Sequence, residues 1–221
     1  DTQVETITSA VGATQLVFTT PQFKLRAGLD TSPQTVIAAQ DSGGNTDTTF
    51  NETVRLYTTS NSGSFSISST TWQNTSIITF QSGLGWLYYR DNNVGLPIIS
   101  AYRSGLSSDS QVETITIRTF KFTNLPFTIS SITTGTCLVK AEDGLTNTAT
   151  AFQDTAGLFS SSLKGKFSIS FAAWSDTSSV KFNSGSAVFY YIDKLGGNPV
   201  ISITRIDSWT FIDTQQETIT K

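Results

Sequence analysis

The sequence repeats itself, and the repeat limits what the chain can fold into. Gly63-Ser-Phe-Ser-Ile-Ser68 returns as Gly165-Lys-Phe-Ser-Ile-Ser170, with Phe65 and Phe167 102 positions apart. The register holds without a gap for about forty residues: Trp72 falls on Trp174, Phe80 on Phe182, Ser82-Gly83 on Ser184-Gly185, and Arg103 on Arg205. Tyr88-Tyr89-Arg-Asp91 matches Tyr190-Tyr191-Ile-Asp193, and roughly half of the paired positions are identical, which marks a duplicated structural unit. One edge occurs three times. Asp109-Ser-Gln-Val-Glu-Thr-Ile-Thr116 and Asp213-Thr-Gln-Gln-Glu-Thr-Ile-Thr220 close the two units, and Asp1-Thr-Gln-Val-Glu-Thr-Ile-Thr8 opens the chain. The expected division is therefore 9–117 for repeat 1 and 118–221 for repeat 2. Residues 1–8 are expected to be the closing strand of a preceding repeat in a longer array, or a strand donated to a neighbouring copy.

Each unit of about 105 residues reads as all-β. Gln34-Thr-Val-Ile-Ala-Ala39, Thr53-Val-Arg-Leu-Tyr57, Ser76-Ile-Ile-Thr-Phe80, Gly85-Trp-Leu-Tyr-Tyr89, Pro97-Ile-Ile-Ser-Ala-Tyr102 and Val112-Glu-Thr-Ile-Thr-Ile117 are short runs of β-formers. Turn chemistry separates them at Asp41-Ser-Gly-Gly-Asn45, Thr59-Ser-Asn-Ser-Gly63, Gln81-Ser-Gly83 and Asp91-Asn-Asn-Val-Gly95. Seven to nine short strands in about 105 residues is the pattern of an antiparallel β-sandwich of immunoglobulin type. The chain is thus expected to hold two consecutive sandwiches. No Gly/Pro/Ser linker separates them near Ile117-Arg118. Phe65, Phe80, Tyr88, Phe167, Phe182 and Tyr190 are the expected core or core-edge aromatics, and Trp72 and Trp174 are placed there with them.

Composition removes most chemistries. The 221 residues contain no His and no Met, so neither a Ser-His-Asp nor a Cys-His nucleophile can be assembled, nor a His-ligated zinc or iron site. The absence of an initiating Met leads us to expect a processed product or a piece of something longer. One cysteine, Cys137, excludes an internal disulfide and reads as a small buried hydrophobe. Fourteen Lys and Arg against 17 Asp and Glu give a net charge of −3 without basic runs, a poor balance for nucleic acid. No run approaches the ~20 apolar residues of a membrane span. Ser and Thr make up roughly 30% of the chain, and charged residues only 14% against an ordinary level of about 25%. Such a surface suits lattices and fibres, where identical neighbours would otherwise repel.

The order of features resembles the bacterial immunoglobulin-like repeats of large surface proteins, of the adhesin and S-layer type. A strand ends in an acid followed by a Gly/Asn turn; a Phe-x-Ile strand, a Ser-Gly turn, an aromatic strand ending Tyr-Tyr-x-Asp, a Gly-x-Pro strand and a last Thr-Ile-Thr strand follow. The second copy departs at the acid turn, reading Asp143-Gly-Leu-Thr-Asn147. The resemblance implies an exported, non-catalytic module of an S-layer, filament or adhesin stalk. Its partners would be further repeats of the same polypeptide or copies of itself. A carbohydrate- or receptor-binding adhesin module is the alternative.

The candidate sites are few. Asp41, Asn45 and Asp47 offer oxygens at the spacing of a calcium loop, although a plain turn accounts for them as well. Calcium could instead sit where units meet, with Glu5, Asp109, Glu113, Asp213 and Glu217 facing the turns at Asp91 and Asp193. Trp86, matched by Val188, and Trp209 are the candidates for stacking on sugar rings. Asn51-Glu-Thr53 and Asn74-Thr-Ser76 are N-glycosylation sequons. Asp91 and Asp193 hold equivalent places in the two copies, which argues for a structural role.

Overall fold

The protein is described by a computed structural model covering residues 12–206 and 211–221. The strand expected over residues 1–8 lies outside the described residues. Alternation makes the strands. In Thr53–Thr58, Val54 and Leu56 are buried while Thr53, Arg55 and Tyr57 face out, because successive side chains point to opposite faces.

The first half carries β1 (Gln15–Phe18), β2 (Lys24–Arg26), β3 (Thr35–Gln40), β4 (Thr53–Thr58), β5 (Ser64–Ser66), β6 (Ile77–Thr79), β7 (Leu84–Arg90), β8 (Ile98–Tyr102), β9 (Asp109–Val112) and β10 (Thr114–Thr116). The second carries β11 (Thr119–Phe122), β12 (Thr128–Ser130), β13 (Gly135–Glu142), β14 (Thr155–Ser160), β15 (Gly165–Ser168), β16 (Ser179–Lys181), β17 (Ser186–Asp193), β18 (Val200–Arg205), β19 (Phe211–Gln216) and β20 (Thr218–Thr220). The sheets β1-β3-β7-β5 and β6-β4-β8-β9 in the first half have their counterparts in β11-β13-β17-β15 and β16-β14-β18-β19 in the second. These are two immunoglobulin-like β-sandwiches. The chain divides into two compact units. Among the described residues, one holds 12–25, 30–91 and 96–115, and the other holds 26–29, 92–95 and 116–206 with 211–221.

Among the described residues, the ten strands in each half exceed the expected seven to nine because the first and last strands are each broken in two. The first strand breaks at Pro21, and at Pro126 in the second copy, where the missing N–H cannot serve a ladder. Its second piece moves away from the sheet of the first and joins the last strand, giving the small sheets β10-β2 and β12-β20. The β12–β20 pair is parallel, with Thr128 opposite Thr218 and Ser130 opposite Thr220. The last strand breaks at Glu113 and at Glu217.

The repeated Ser-Gly dipeptides are two-residue hairpin turns. Ser82 and Gly83 have φ of 49° and 82°, and Ser184 and Gly185 have 46° and 75°. Gln81 and Leu84 exchange both backbone hydrogen bonds around the first, at 2.8 and 3.1 Å. Positive φ at both central positions is the type I′ geometry that suits a twisted hairpin. A Cβ at Gly83 would run into the Asp47 carbonyl, and one at Gly185 into the Ala149 carbonyl at 2.5 Å.

The core follows the duplication. Phe65 and Phe167 are each 5% exposed, and Phe80 and Phe182 are fully buried. Phe182 stacks on Phe120, and Phe167 packs at a tilt on Tyr191. Two expectations need correction. Tyr89 and Tyr191 fill the core, whereas Tyr88 and Tyr190 lie half-buried on the outer face, one residue out of phase. Trp72 and Trp174 also leave the core. Both sit in the loop after the Phe-x-Ile strand, each donating its indole N–H to a neighbouring side chain, Asn74 Oδ1 at 2.7 Å and Asp176 Oδ1 at 2.8 Å. Cys137 is buried in β13 as expected. Phe65→Ala or Phe167→Ala should cost ~3–5 kcal/mol, read as a lower denaturation midpoint at unchanged slope.

Candidate functional site

The thrice-repeated edge motif has a clear geometry in both units. Residues i, i+2 and i+4 of an extended strand share a face. Asp109, Gln111 and Glu113 therefore project together, with Gln111 9% and Glu113 0% exposed. The two acids accept from backbone N–H groups of the first strand about ninety residues away. Phe18 N donates to Asp109 Oδ2 at 2.8 Å, and Phe23 N donates to Glu113 Oε2 at 2.7 Å. Gln111 Nε2 donates to the other oxygen, Glu113 Oε1. The second unit repeats each bond. Phe122 N donates to Asp213 Oδ2 at 2.7 Å, Phe127 N to Glu217 Oε2 at 2.6 Å, and Gln215 Nε2 to Glu217 Oε1 at 2.6 Å.

The strand breaks create the need for these acids. Glu113 N still donates to Pro97 O, but the next residue, Thr114, donates to Phe23 O at 3.1 Å. The last strand thus changes partner between residues 113 and 114. The N–H of Phe23 is left without a ladder acceptor at that point, in a place closed to water. A carboxylate supplies the acceptor, and bonds of this charge-assisted kind are short and strong. Thr218 N donates to Phe127 O at 3.1 Å in the second copy, so the whole exchange is duplicated. Burial pushes the carboxyls of Glu113 and Glu217 above the ordinary glutamate range, partly offset by the N–H donors of Phe23 and Phe127 and by the neighbouring glutamines.

A second repeated cluster lies around the Tyr-Tyr-x-Asp motif. Asp91, 3% exposed, accepts from Tyr89 OH at 2.7 Å, Ser60 Oγ at 2.9 Å and Ser62 Oγ at 2.7 Å. Asp193, 0% exposed, accepts from Tyr191 OH at 2.8 Å and from Leu195 N at 2.8 Å. Desolvation drives both tyrosine hydroxyls far above their ordinary range, so they remain protonated donors. Gly63 and Gly165 recur because a Cβ there would strike the Tyr89 and Tyr191 hydroxyls. Calcium where units meet would need Asp109, Glu113, Asp213 and Glu217 to face the turns at Asp91 and Asp193. Instead each is hydrogen-bonded within its own unit, and the two glutamates are closed to solvent.

The other candidate residues are dispersed. Asp41 Oδ1 accepts from Gly43 N and Asn45 N, both at 2.9 Å, while Asn45 Nδ2 approaches Asp41 Oδ2 at 3.2 Å. Asp47 turns away. Its Oδ2 accepts from Ala13 N at 2.9 Å, and its Oδ1 accepts from Thr49 N at 2.9 Å and Thr49 Oγ1 at 2.6 Å. The N–H donors of Asn45 hold the Asp41 carboxyl below the ordinary aspartate range, and the Thr49 hydroxyl, with the N–H groups of Ala13 and Thr49, does the same for Asp47. Among the described residues, no three His, Cys, Asp or Glu side chains gather as a metal ion would require. Asn51 is tied at both ends, its Nδ2 donating to Thr49 O and its Oδ1 accepting from Ser82 N. Asn74 is exposed, with its Oδ1 taken by Trp72. Trp86 lies half-buried on the outer face of β7 opposite Val36, with Tyr88 and Arg90 following on that face. The Arg90 guanidinium lies 4.3 Å from the Trp72 ring, so Trp72 joins this surface. Trp209 lies outside the described residues.

The fold and the seam of buried acids define a pair of immunoglobulin-like β-sandwiches whose first and last strands are fastened by side-chain carboxylates. The structure is similar to that of FdeC, an Escherichia coli adhesin, at 12% identity over 96% of this chain and 66% of that one, just under two thirds, with a TM-score of 0.54. Weaker matches include a C-terminal intimin fragment in complex with the intimin-binding domain of its translocated receptor (15% identity, 96% and 64% covered, TM-score 0.46) and domains 4 and 5 of the S-layer protein SbsC (12%, 58% and 66%, 0.36). At such identities the likeness to FdeC speaks to the fold alone. No family model and no curated relative matches the sequence.

Two outcomes follow from the seam. Glu217→Ala strands the Phe127 N–H, at ~1–3 kcal/mol for an unsatisfied donor, and leaves the Gln215 amide only its longer bond to Leu125 O, measurable by urea denaturation. The second outcome concerns pH. A raised folded-state pKa means the native chain keeps protons that the unfolded chain has released. Stability contributed by these two residues is therefore full below the ordinary glutamate value and declines as pH climbs to the folded value. The Glu113→Gln/Glu217→Gln variant should show a shallower decline than the parent in midpoints measured from about pH 4 to 7.

Proposed function

We propose that the chain is a non-catalytic structural module of an extracellular prokaryotic surface assembly, an S-layer, filament or adhesin stalk. The observation that carries this reading is the duplicated acid seam. The carboxylates that could have formed a reactive pair are committed, in both units alike, to backbone N–H groups or to tyrosine and serine hydroxyls. A chain without His, and with its one Cys buried, can assemble neither a Ser-His-Asp nor a Cys-His nucleophile. The hydroxyl-rich, weakly charged surface supports close packing of identical neighbours, and the fold is one that an adhesin also uses. Its partners in this reading are further repeats or copies of the same chain, and no metal or cofactor is required. Calcium at Asp41, Asn45 and Asp47 remains a proposal that a thermal midpoint in calcium against chelator would test.

A second reading, a glycan- or receptor-binding adhesin module, is favoured by the outward row of Trp86, Tyr88 and Arg90 with Trp72. Trp and Tyr faces can stack on sugar rings, and Arg and Asn can bond their hydroxyls. The two readings part on experiment. Antibody raised to the purified chain should label intact source cells, and electron microscopy of the labelled surface should show a lattice, filaments or stalks. Under the structural reading, Trp86→Ala leaves that assembly intact and a glycan array stays blank. Array binding lost in Trp86→Ala would establish the second reading instead.

A further inference from the structure

We propose that the seam between the first and last strands is a tension lock that makes each unit resist being pulled apart from its ends. The chain enters a unit along the first strand and leaves it along the last. In the second unit these strands run parallel, in register from Thr128–Thr218 to Ser130–Thr220. In the first unit Gln15 and Ser107 form a parallel bridge, with Leu16 N donating to Ser107 O and Ser107 N to Thr14 O, both at 2.9 Å. Parallel strands have their entry and exit at opposite ends. A pull on the two ends slides one strand along the other, and every cross-link, lying across the pull, is strained at once. A hairpin pulled at its open end would instead lose its bonds one at a time.

The acids add what a ladder lacks. A β-ladder can slip by two residues and find equivalent partners, since its pattern repeats with that period. The side-chain bonds cannot. Asp109 and Glu113, four apart, meet Phe18 and Phe23, five apart, and Asp213 and Glu217 meet Phe122 and Phe127 with the same offset. The mismatch arises because the first strand turns at its proline, so a slipped register leaves both carboxylates without their donors. Phe23 and Phe127 are held twice, the N–H by the glutamate and the carbonyl by Thr114 or Thr218. Duplication of every bond marks a feature each unit needs by itself, and the inference holds for whichever surface assembly carries the chain.

Single-molecule force spectroscopy on the full chain, held by its two ends, tests this. Glu113→Ala/Glu217→Ala, which removes the acceptors of Phe23 N and Phe127 N, is compared with Ile78→Ala/Val180→Ala, which trims the buried core of both units away from the seam. Unfolding rates are measured under constant load and, by denaturant extrapolation, without load. The core variant should speed unfolding by the same factor in both conditions. The seam variant should speed it under load by about tenfold more than without load. Should the glutamate variant fail to fold, Asp109→Ala/Asp213→Ala, at half-buried positions, takes its place with the same expected excess. Equal loaded and unloaded factors for the seam variant would overturn the proposal.

Discussion

Everything in each unit depends on how the unit's first described strand is joined to its last. They are about ninety residues apart, and no local contact brings them together. Each strand must leave one partner and take another, and the exchange strands a backbone N–H, that of Phe23 in a buried place and that of Phe127 in a partly buried one. An unsatisfied donor there would cost as much as a good core contact gains. The glutamate at the break meets this need with one oxygen and anchors a glutamine with the other, so the buried charge is surrounded by donors. A charge in such a place is tolerated only with its partners present, which makes the pairing of the two ends close to all-or-none.

The duplication acts as an internal control on which features matter. Tyr89, Asp91 and Gly63 recur as Tyr191, Asp193 and Gly165 in the same contacts, so their conservation between copies reflects packing. Surfaces diverge where the fold does not constrain them. Trp86 gives way to Val188 on the outer face. Tyr57 and Tyr102 meet edge to face on the exposed side of β4 and β8, whereas Thr204 stands in the place of Tyr102. The repeats thus share a frame and differ in what they display.

The sequence by itself determined the class of fold. Two units, their all-β character, the turns at Ser-Gly and the burial of Phe65, Phe80, Phe167, Phe182 and Cys137 follow from local chemistry: period-two burial, turn-forming residues and a gapless repeat. The repeated Asp-x-Gln-x-Glu edge was visible as a pattern, yet its purpose was not, because the groups it serves are backbone N–H groups far away in sequence, which no side-chain motif advertises. Trp72 and Trp174 were misplaced because recurrence at equal positions reports a shared environment without saying which side of the sheet it is on. Tyr88 and Tyr89 could not be told apart for a related reason: alternation fixes that one faces in, and only the packing of the opposite sheet decides which. Tertiary structure alone settled the breaks in the first and last strands and the carboxylates that close them, since a long-range pairing is chosen by the whole sandwich and by no segment within it.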